Sequence, residues 1–334
     1  MSERGYDVLE CLEDIPRLSL PEQLMSLPEL VECAMDVDIG DVPESKKVCI
    51  FGIGESSIAG DMISAYADDY SDVPVFSFSN GVLPGWIDKD TDVIIISFSG
   101  RNNIINAIYD GLESRARNVY CITNNGKLMG KCVTDGHRLF RIPNGLISRT
   151  ALGYELGVLA SLIQKMGVCD AHDRLVSVLP AVKEYRDSLT FDDRIESLKR
   201  KLHDNTIAIY GAPDFRPSFK RWKMSFNSDM GSPAFCGELP EFNHNEIVGW
   251  ANHAQKDDDL RIIVLRGKYK SEVLTTIIDK TIEVLEESGR HVMDIKVLGS
   301  EPMEKNMRAI LLGDYISQVL KHDGRTPMSW GESL

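Results

Sequence analysis

The chain has 334 residues, of which 43% are hydrophobic and 26% charged, a length and mix that suit two α/β domains with buried cores. Its 51 acidic residues against 37 basic ones leave a net charge of −14, which excludes a broad nucleic-acid or anionic-membrane surface, so an anionic ligand needs a site built for it. No apolar run reaches the ~18 residues that cross a bilayer, the N-terminus lacks the basic-then-apolar order of a signal peptide, and a cytoplasmic location is expected.

Short β-branched runs alternate with amphipathic segments from end to end, the pattern of parallel βαβ units. A helix is expected over residues 21–37, then strands at 48–53, 73–79, 93–97, 119–123 and 139–143, with helices at 104–112 and 151–166. The strand runs are almost continuously apolar, as strands covered on both faces are. A polar stretch, 183–204, precedes a second series with strands at 206–210, 233–236, 261–265 and 292–297 and helices at 271–287 and 303–320. The expected fold is α/β, two sandwiches with parallel sheets, one over residues 1–170 and one over 171–334. The seven cysteines are scattered, odd in number and never spaced Cys-x-x-Cys, and no zinc or calcium spacing occurs. Neither a metal nor another cofactor is expected.

Three segments bear on anion binding. Gly52-Ile-Gly-Glu-Ser-Ser-Ile-Ala-Gly-Asp61 follows the first strand and opens a helix, where a glycine turn lets backbone N–H groups approach an anion. Gly54 and Ser56 are its candidates; a plain strand-to-helix turn capped by Ser56 is the alternative. Ser97-Phe-Ser-Gly-Arg-Asn-Asn103 repeats the arrangement after a later strand, where Ser97, Ser99, Gly100 and Asn102 can offer donors at the strand ends on which ligands of open α/β sheets gather. Ile142-Pro-Asn-Gly-Leu-Ile-Ser-Arg-Thr-Ala-Leu-Gly-Tyr154 adds Arg149, whose guanidinium fork suits phosphate; at a helix start such a residue is otherwise a surface charge.

The stretch Glu238-Leu-Pro-Glu-Phe-Asn-His-Asn-Glu-Ile-Val-Gly-Trp250 concentrates three carboxylates and one imidazole among rigid or apolar residues. That composition suits proton transfer. It resembles a stretch of the bifunctional phosphoglucose/phosphomannose isomerases of the sugar-isomerase (SIS) superfamily, and the two serine loops resemble that family's phosphate cradle at Ser56, Ser97, Ser99 and Gly100. Arg149 falls in the family's Arg-x-x-x-Gly-Tyr pattern. Arg221, Trp222, Lys223, Asn227, Pro233 and Ala234 also fall in register. The resemblance implies two SIS-type three-layer αβα sandwiches, a phosphosugar ligand, a role in carbohydrate metabolism such as glycolysis, and a homodimer whose active site at the subunit interface borrows groups from the second copy.

Aldose–ketose isomerisation needs ring opening, then a base that carries a proton between C1 and C2 through a cis-enediol. The resemblance gives ring opening to His244 and places Thr326, in Arg325-Thr326-Pro327, above the distal carbons of the substrate. It also shows departures. Arg101 and Asn102 replace the family's asparagine and threonine, Glu55 stands near the supposed dianion, and the family's C-terminal lysine has no counterpart. Above all, Ser228 occupies the position of the family's basic glutamate, and a hydroxyl cannot deprotonate carbon near neutral pH. Asp229 is adjacent but points ~100° away on a helix; Glu238, Glu241 and Glu246 are further candidates, and Glu241, three residues before His244, is the one favoured. Asn243 and Asn245 are expected to orient the His244 ring. Three readings stay open: an isomerase with a relocated carboxylate, a non-catalytic phosphosugar binder, and an isomerase of a different phosphosugar.

Overall fold

The structure, a computed structural model, describes residues 17–112, 114–189, 193–252, 259–269 and 271–320. The chain divides at Pro180/Ala181 into two compact units. Each is built on its own parallel sheet.

In the first unit, β1 (Val48–Phe51), β2 (Val75–Phe78), β3 (Asp92–Ile96), β4 (Asn118–Thr123) and β5 (Arg138–Arg141) pair in the order β2-β1-β3-β4-β5, all parallel. Alternation along the strands sends Cys49, Phe51, Val93, Ile95, Val119 and Cys121 to one face, where they pack with Ile105, Ile108 and Leu128 of α4 (Asn103–Gly111) and α5 (Gly126–Thr134). The opposite face takes α3 (Ile58–Tyr70), where Gly60 lies against Ile50. The helix expected over 21–37 is two helices, α1 (Leu20–Met25) and α2 (Leu27–Met35). Pro28 opens the second as only a first-turn proline can, and the Ser26 hydroxyl donates to the Glu22 carbonyl at 2.7 Å across the break. α2 packs on α6 (Leu152–Lys165) at glycine distance: a Cβ on Gly157 would lie 2.6 Å from both the Val31 carbonyl oxygen and the Ala34 Cβ.

Within the polar stretch 183–204 lie the end of α7 (Ala171–Ser188) and α8 (Asp193–Leu202). In the second unit, β6 (Thr206–Gly211), β7 (Ala234–Glu238), β8 (Leu260–Arg266) and β9 (Val292–Lys296) pair in the order β7-β6-β8-β9, again all parallel. One face packs Ala208, Tyr210, Ile262 and Val264 against Ile278, Ile282 and Leu285 of α11 (Glu272–Glu287). Beyond these lie α9 (Arg216–Ser225), α10 (Glu246–Asn252) and α12 (Pro302–Val319). α9 and α12 are joined by a buried ion pair: Arg221 Nε and Nη2 donate to Asp314 at 3.0 and 2.9 Å, and Ser225 Oγ adds a third bond at 2.8 Å. Trp222, fully buried, donates from Nε1 to the Ala309 carbonyl at 2.7 Å. Arg221 and Trp222 therefore hold the unit together. No helix among the described residues is long and apolar enough to cross a membrane.

Candidate active site

The first sheet changes direction between β1 and β3, because β2 lies on one side of β1 and all later strands lie on the other. Crevices at the carboxyl ends of such strands are where open α/β sheets hold ligands. The two serine loops emerge there. After β1 the chain makes a tight turn at Gly54–Ser57, with Gly54 at φ +62° and the Ser57 hydroxyl closing onto the Gly54 carbonyl at 2.9 Å. After β3, Gly100 also takes positive φ, +62°, and donates its N–H to the Ser97 carbonyl at 3.1 Å.

Gly100 has a second constraint. A Cβ there would sit 1.9 Å from the Asn125 carbonyl oxygen, and one on Gly126 would sit 2.4 Å from the Ser99 carbonyl oxygen. The turn after β3 and the turn after β4 are thus in backbone contact, which only glycine permits. Leu128 N–H reinforces it by donating to the Gly100 carbonyl at 3.0 Å.

The polar side chains of the cradle are used differently from the sequence expectation. Ser56 is buried and is not a helix cap: its hydroxyl donates to Glu155 Oε1 at 3.1 Å and accepts the Phe98 N–H at 3.2 Å, tying the two loops to each other and to α6. Its one proton is committed to the carboxylate, so its hydroxyl is not a donor to a ligand. Asn102 caps α4, its Oδ1 accepting the Ile105 N–H at 3.0 Å. Ser99 is exposed and its Oγ accepts the Arg101 N–H at 3.3 Å, while Ser97 is buried at the strand end. Arg149 is half-buried in the turn leading into α6, six residues before Glu155. Glu155, fully buried, was missed in the sequence. Its signal was faint, a lone acid in a run of buried apolar residues.

In the second unit, the candidate proton-transfer groups separate by sheet edge. β7 begins where α9 and the turn Phe226–Met230 bring the chain back, and Asn227 fixes that junction: its Nδ2 donates to the Ala234 carbonyl at 2.7 Å and its Oδ1 accepts the Ala234 N–H at 3.2 Å. Ser228 and Asp229 therefore lie at the amino edge. The Ser228 hydroxyl turns back to the Met224 carbonyl at 2.7 Å. Asp229 is buried against α12, where Ser317 Oγ and Gln318 Nε2 donate to its Oδ2 at 3.2 and 2.9 Å. That placement corrects the idea of Asp229 as an adjacent substitute: its carboxylate belongs to the packing of α12.

Glu238, Glu241, His244 and Glu246 follow the other end of β7, at the carboxyl edge. Four residue steps of strand separate the edges, ~13 Å at the strand rise of ~3.3 Å. Glu238 is held by the Arg216 fork, with Nη2 to Oε2 at 2.8 Å. Glu241 and His244 bound one short 3₁₀ turn, both exposed; residues three apart eclipse in that geometry and share a face. Asn243 does not serve the histidine. It exchanges hydrogen bonds with Thr281 of α11, Nδ2 to Oγ1 at 2.7 Å and Oγ1 to Oδ1 at 3.0 Å. Glu246 accepts the Tyr210 hydroxyl at 2.6 Å, and that hydroxyl accepts the Trp250 Nε1–H at 3.1 Å. Burial, and then the neighbouring Glu246, push the Tyr210 phenol well above its ordinary range, so it stays a donor. Phe242 and Trp250 pack against Tyr210 and Phe235, with ring centroids 4.4 and 5.9 Å apart. Thr326 lies outside the described residues. Among the described residues no three His, Cys, Asp or Glu side chains are placed to hold a metal ion.

Two parallel sheets, one in each unit, with glycine-serine turns at the switch point of the first, define the class: an α/β protein of two parallel-sheet units. Residues 191–321 match the family described as the bacterial phospho-glucose isomerase C-terminal SIS domain, and the chain is similar over most of its length to proteins named bifunctional phosphoglucose/phosphomannose isomerase. One such protein, from Caldicellulosiruptor bescii, is 29% identical over 310 residues, covering 90% of this chain and 91% of its own length. A D-glucosamine-6-phosphate 4-epimerase from Sulfolobus acidocaldarius is 26% identical over 220 residues, 66% of this chain and 69% of that one. Among solved structures, the C-terminal domain of glucosamine-fructose-6-phosphate aminotransferase from Francisella tularensis superposes with a TM-score of 0.62 over 95% of this chain and 97% of its own. At 13% identity it shares the fold alone.

Proposed function

We propose that the chain is a sugar-phosphate aldose–ketose isomerase of the glucose 6-phosphate, mannose 6-phosphate and fructose 6-phosphate type. The observation that carries this reading is His244, exposed on a short turn at the carboxyl edge of the second sheet with carboxylates on either side in sequence. The name of the C. bescii relative supports it. In this reading the cradle of Gly54, Ser56, Ser97, Ser99, Gly100 and Asn102 takes the phosphate with Arg149, His244 opens the ring, and a carboxylate of the 238–246 segment moves the proton through a cis-enediol. Glu241 is the sequence-based choice for that carboxylate. Thr326 would face the distal carbons. In this reading the working form is a homodimer, as the resemblance to the isomerase family implies.

Ser228 favours a second reading. Its hydroxyl is committed to a backbone carbonyl and can carry no proton from carbon, so a protein that binds a phosphosugar without turning it over would look the same there. An assay at high enzyme concentration separates the two. Fructose 6-phosphate is converted to glucose 6-phosphate and mannose 6-phosphate by the wild type, and His244→Ala abolishes the conversion, if the chain is an isomerase with a relocated base. Silence in the wild type with activity gained by Ser228→Glu marks a binder. Silence in both moves the search to a different phosphosugar.

A further inference from the structure

Resting on the isomerase reading, we propose that Glu246 is the relocated proton-transfer base, held in place by Tyr210 and Trp250. A base that acts on carbon needs a fixed direction, an available oxygen and access to substrate. Of the four candidate acids Asp229, Glu238, Glu241 and Glu246, the last meets all three. Asp229 is buried on the far edge against Ser317 and Gln318. Glu238 has both oxygens in the Arg216 fork. Glu241 is exposed, and no hydrogen bond among the described residues orients it.

Glu246 is exposed as well, yet Oε2 is anchored by a 2.6 Å bond from a phenol that is itself 1% exposed. The anchor is directional. Trp250 can only donate, so the Tyr210 oxygen accepts from the indole and sends its own proton to the carboxylate. Phe242 packs against the Tyr210 ring at a tilt of 57°, with ring centroids 4.4 Å apart, and holds the phenol from the side. Gly237 on β7 makes room for the Tyr210 ring, which a Cβ there would strike at 2.7 Å. Glu246 also follows His244 by two residues on the same edge, so the move from the Ser228 position brings base and ring-opening group together.

The chemistry balances with these two groups. Oε1 takes the proton from C2 of the open-chain aldose, and the C–H electron pair becomes the C1–C2 double bond. O1 gains a proton from protonated His244, giving the cis-enediol. Glu246 then returns its proton to C1 while His244 takes the O2 proton, leaving the ketose and both side chains in their starting states. Tyr210 and Trp250 are positioning residues in this scheme.

The test measures kcat and KM for fructose 6-phosphate conversion, and binding of fructose 6-phosphate by calorimetry, in Glu246→Gln, Glu241→Gln and Tyr210→Phe variants of the full chain. Glu246→Gln is expected to lower kcat ~10²- to 10⁴-fold with binding retained, and to lose more than Glu241→Gln. Tyr210→Phe is expected to lower kcat at unchanged KM. Wild-type turnover in Glu246→Gln, or a larger loss in Glu241→Gln, overturns the assignment and leaves the isomerase reading standing. A silent wild type overturns both. If Glu246→Gln fails to fold, Tyr210→Phe decides: a fall in kcat at constant KM supports the assignment, and wild-type kcat overturns it.

Discussion

Arg221 and Asp314 show how one residue pair can be read in two ways. Both are almost completely inaccessible, 1% exposed each, and every charged atom of the carboxylate finds a donor. Removing one partner strands the other charge in the core, so Asp314→Ala is expected to lower the unfolding free energy by about 3–5 kcal/mol, measured by urea denaturation with the fold at low denaturant checked by circular dichroism. The sequence placed Arg221 and Trp222 in register with the family pattern and assigned them no role. Their partners lie some ninety residues downstream, and no local pattern reveals such a contact. Ser56 is the same case: its spacing was legible, whereas its bond to Glu155, 99 residues away, was not.

At the scale of elements, alternation of apolar runs located all nine described strands within a few residues of their ends. Periodicity succeeded there because strands buried on both faces leave a nearly unbroken apolar signal. It gave no element where polar residues dominate, and α7 and α8 occupy much of the stretch 171–204. It also ran α1 and α2 together, because Pro28 is compatible with a first helical turn and so resembles continuity as much as a break. Nor did it explain Gly153 and Gly157 on α6. A Cβ on Gly153 would meet the Leu27 carbonyl oxygen at 2.6 Å, just as one on Gly157 would meet α2 one turn further on. Gly157→Val is expected to cost about 1–3 kcal/mol by forcing the helices apart, seen as a lower urea midpoint at unchanged m-value, while the same change at Gly130, with open space around it, is expected to leave the midpoint nearly in place.

The whole molecule carries a store of buried acids that are weak in the folded state. Burial pushes the Cys49 thiol up to about 12 and the Cys169 thiol up to about 11 from an ordinary value of 9.0, and raises the phenols of Tyr210 and Tyr269 as well. Between pH 9 and 12 the unfolded chain has released the Cys49 proton and the folded chain has kept it. Unfolding then gains with each pH unit, by up to about 1.4 kcal/mol from that thiol alone. The melting temperature is therefore expected to be flat on this account below pH 9 and to fall through the window above it; Cys49→Ala should make the alkaline slope shallower.

The contact between the turns at Gly100 and Gly126 bears on how a ligand arrives. Segments that touch backbone to backbone cannot swing apart independently, so the donors around Gly100 are set when the sheet forms and need no rearrangement on encounter. On the proposed reading, recognition at these turns is then a matter of preorganisation, with the loss of chain freedom completed at folding rather than at binding.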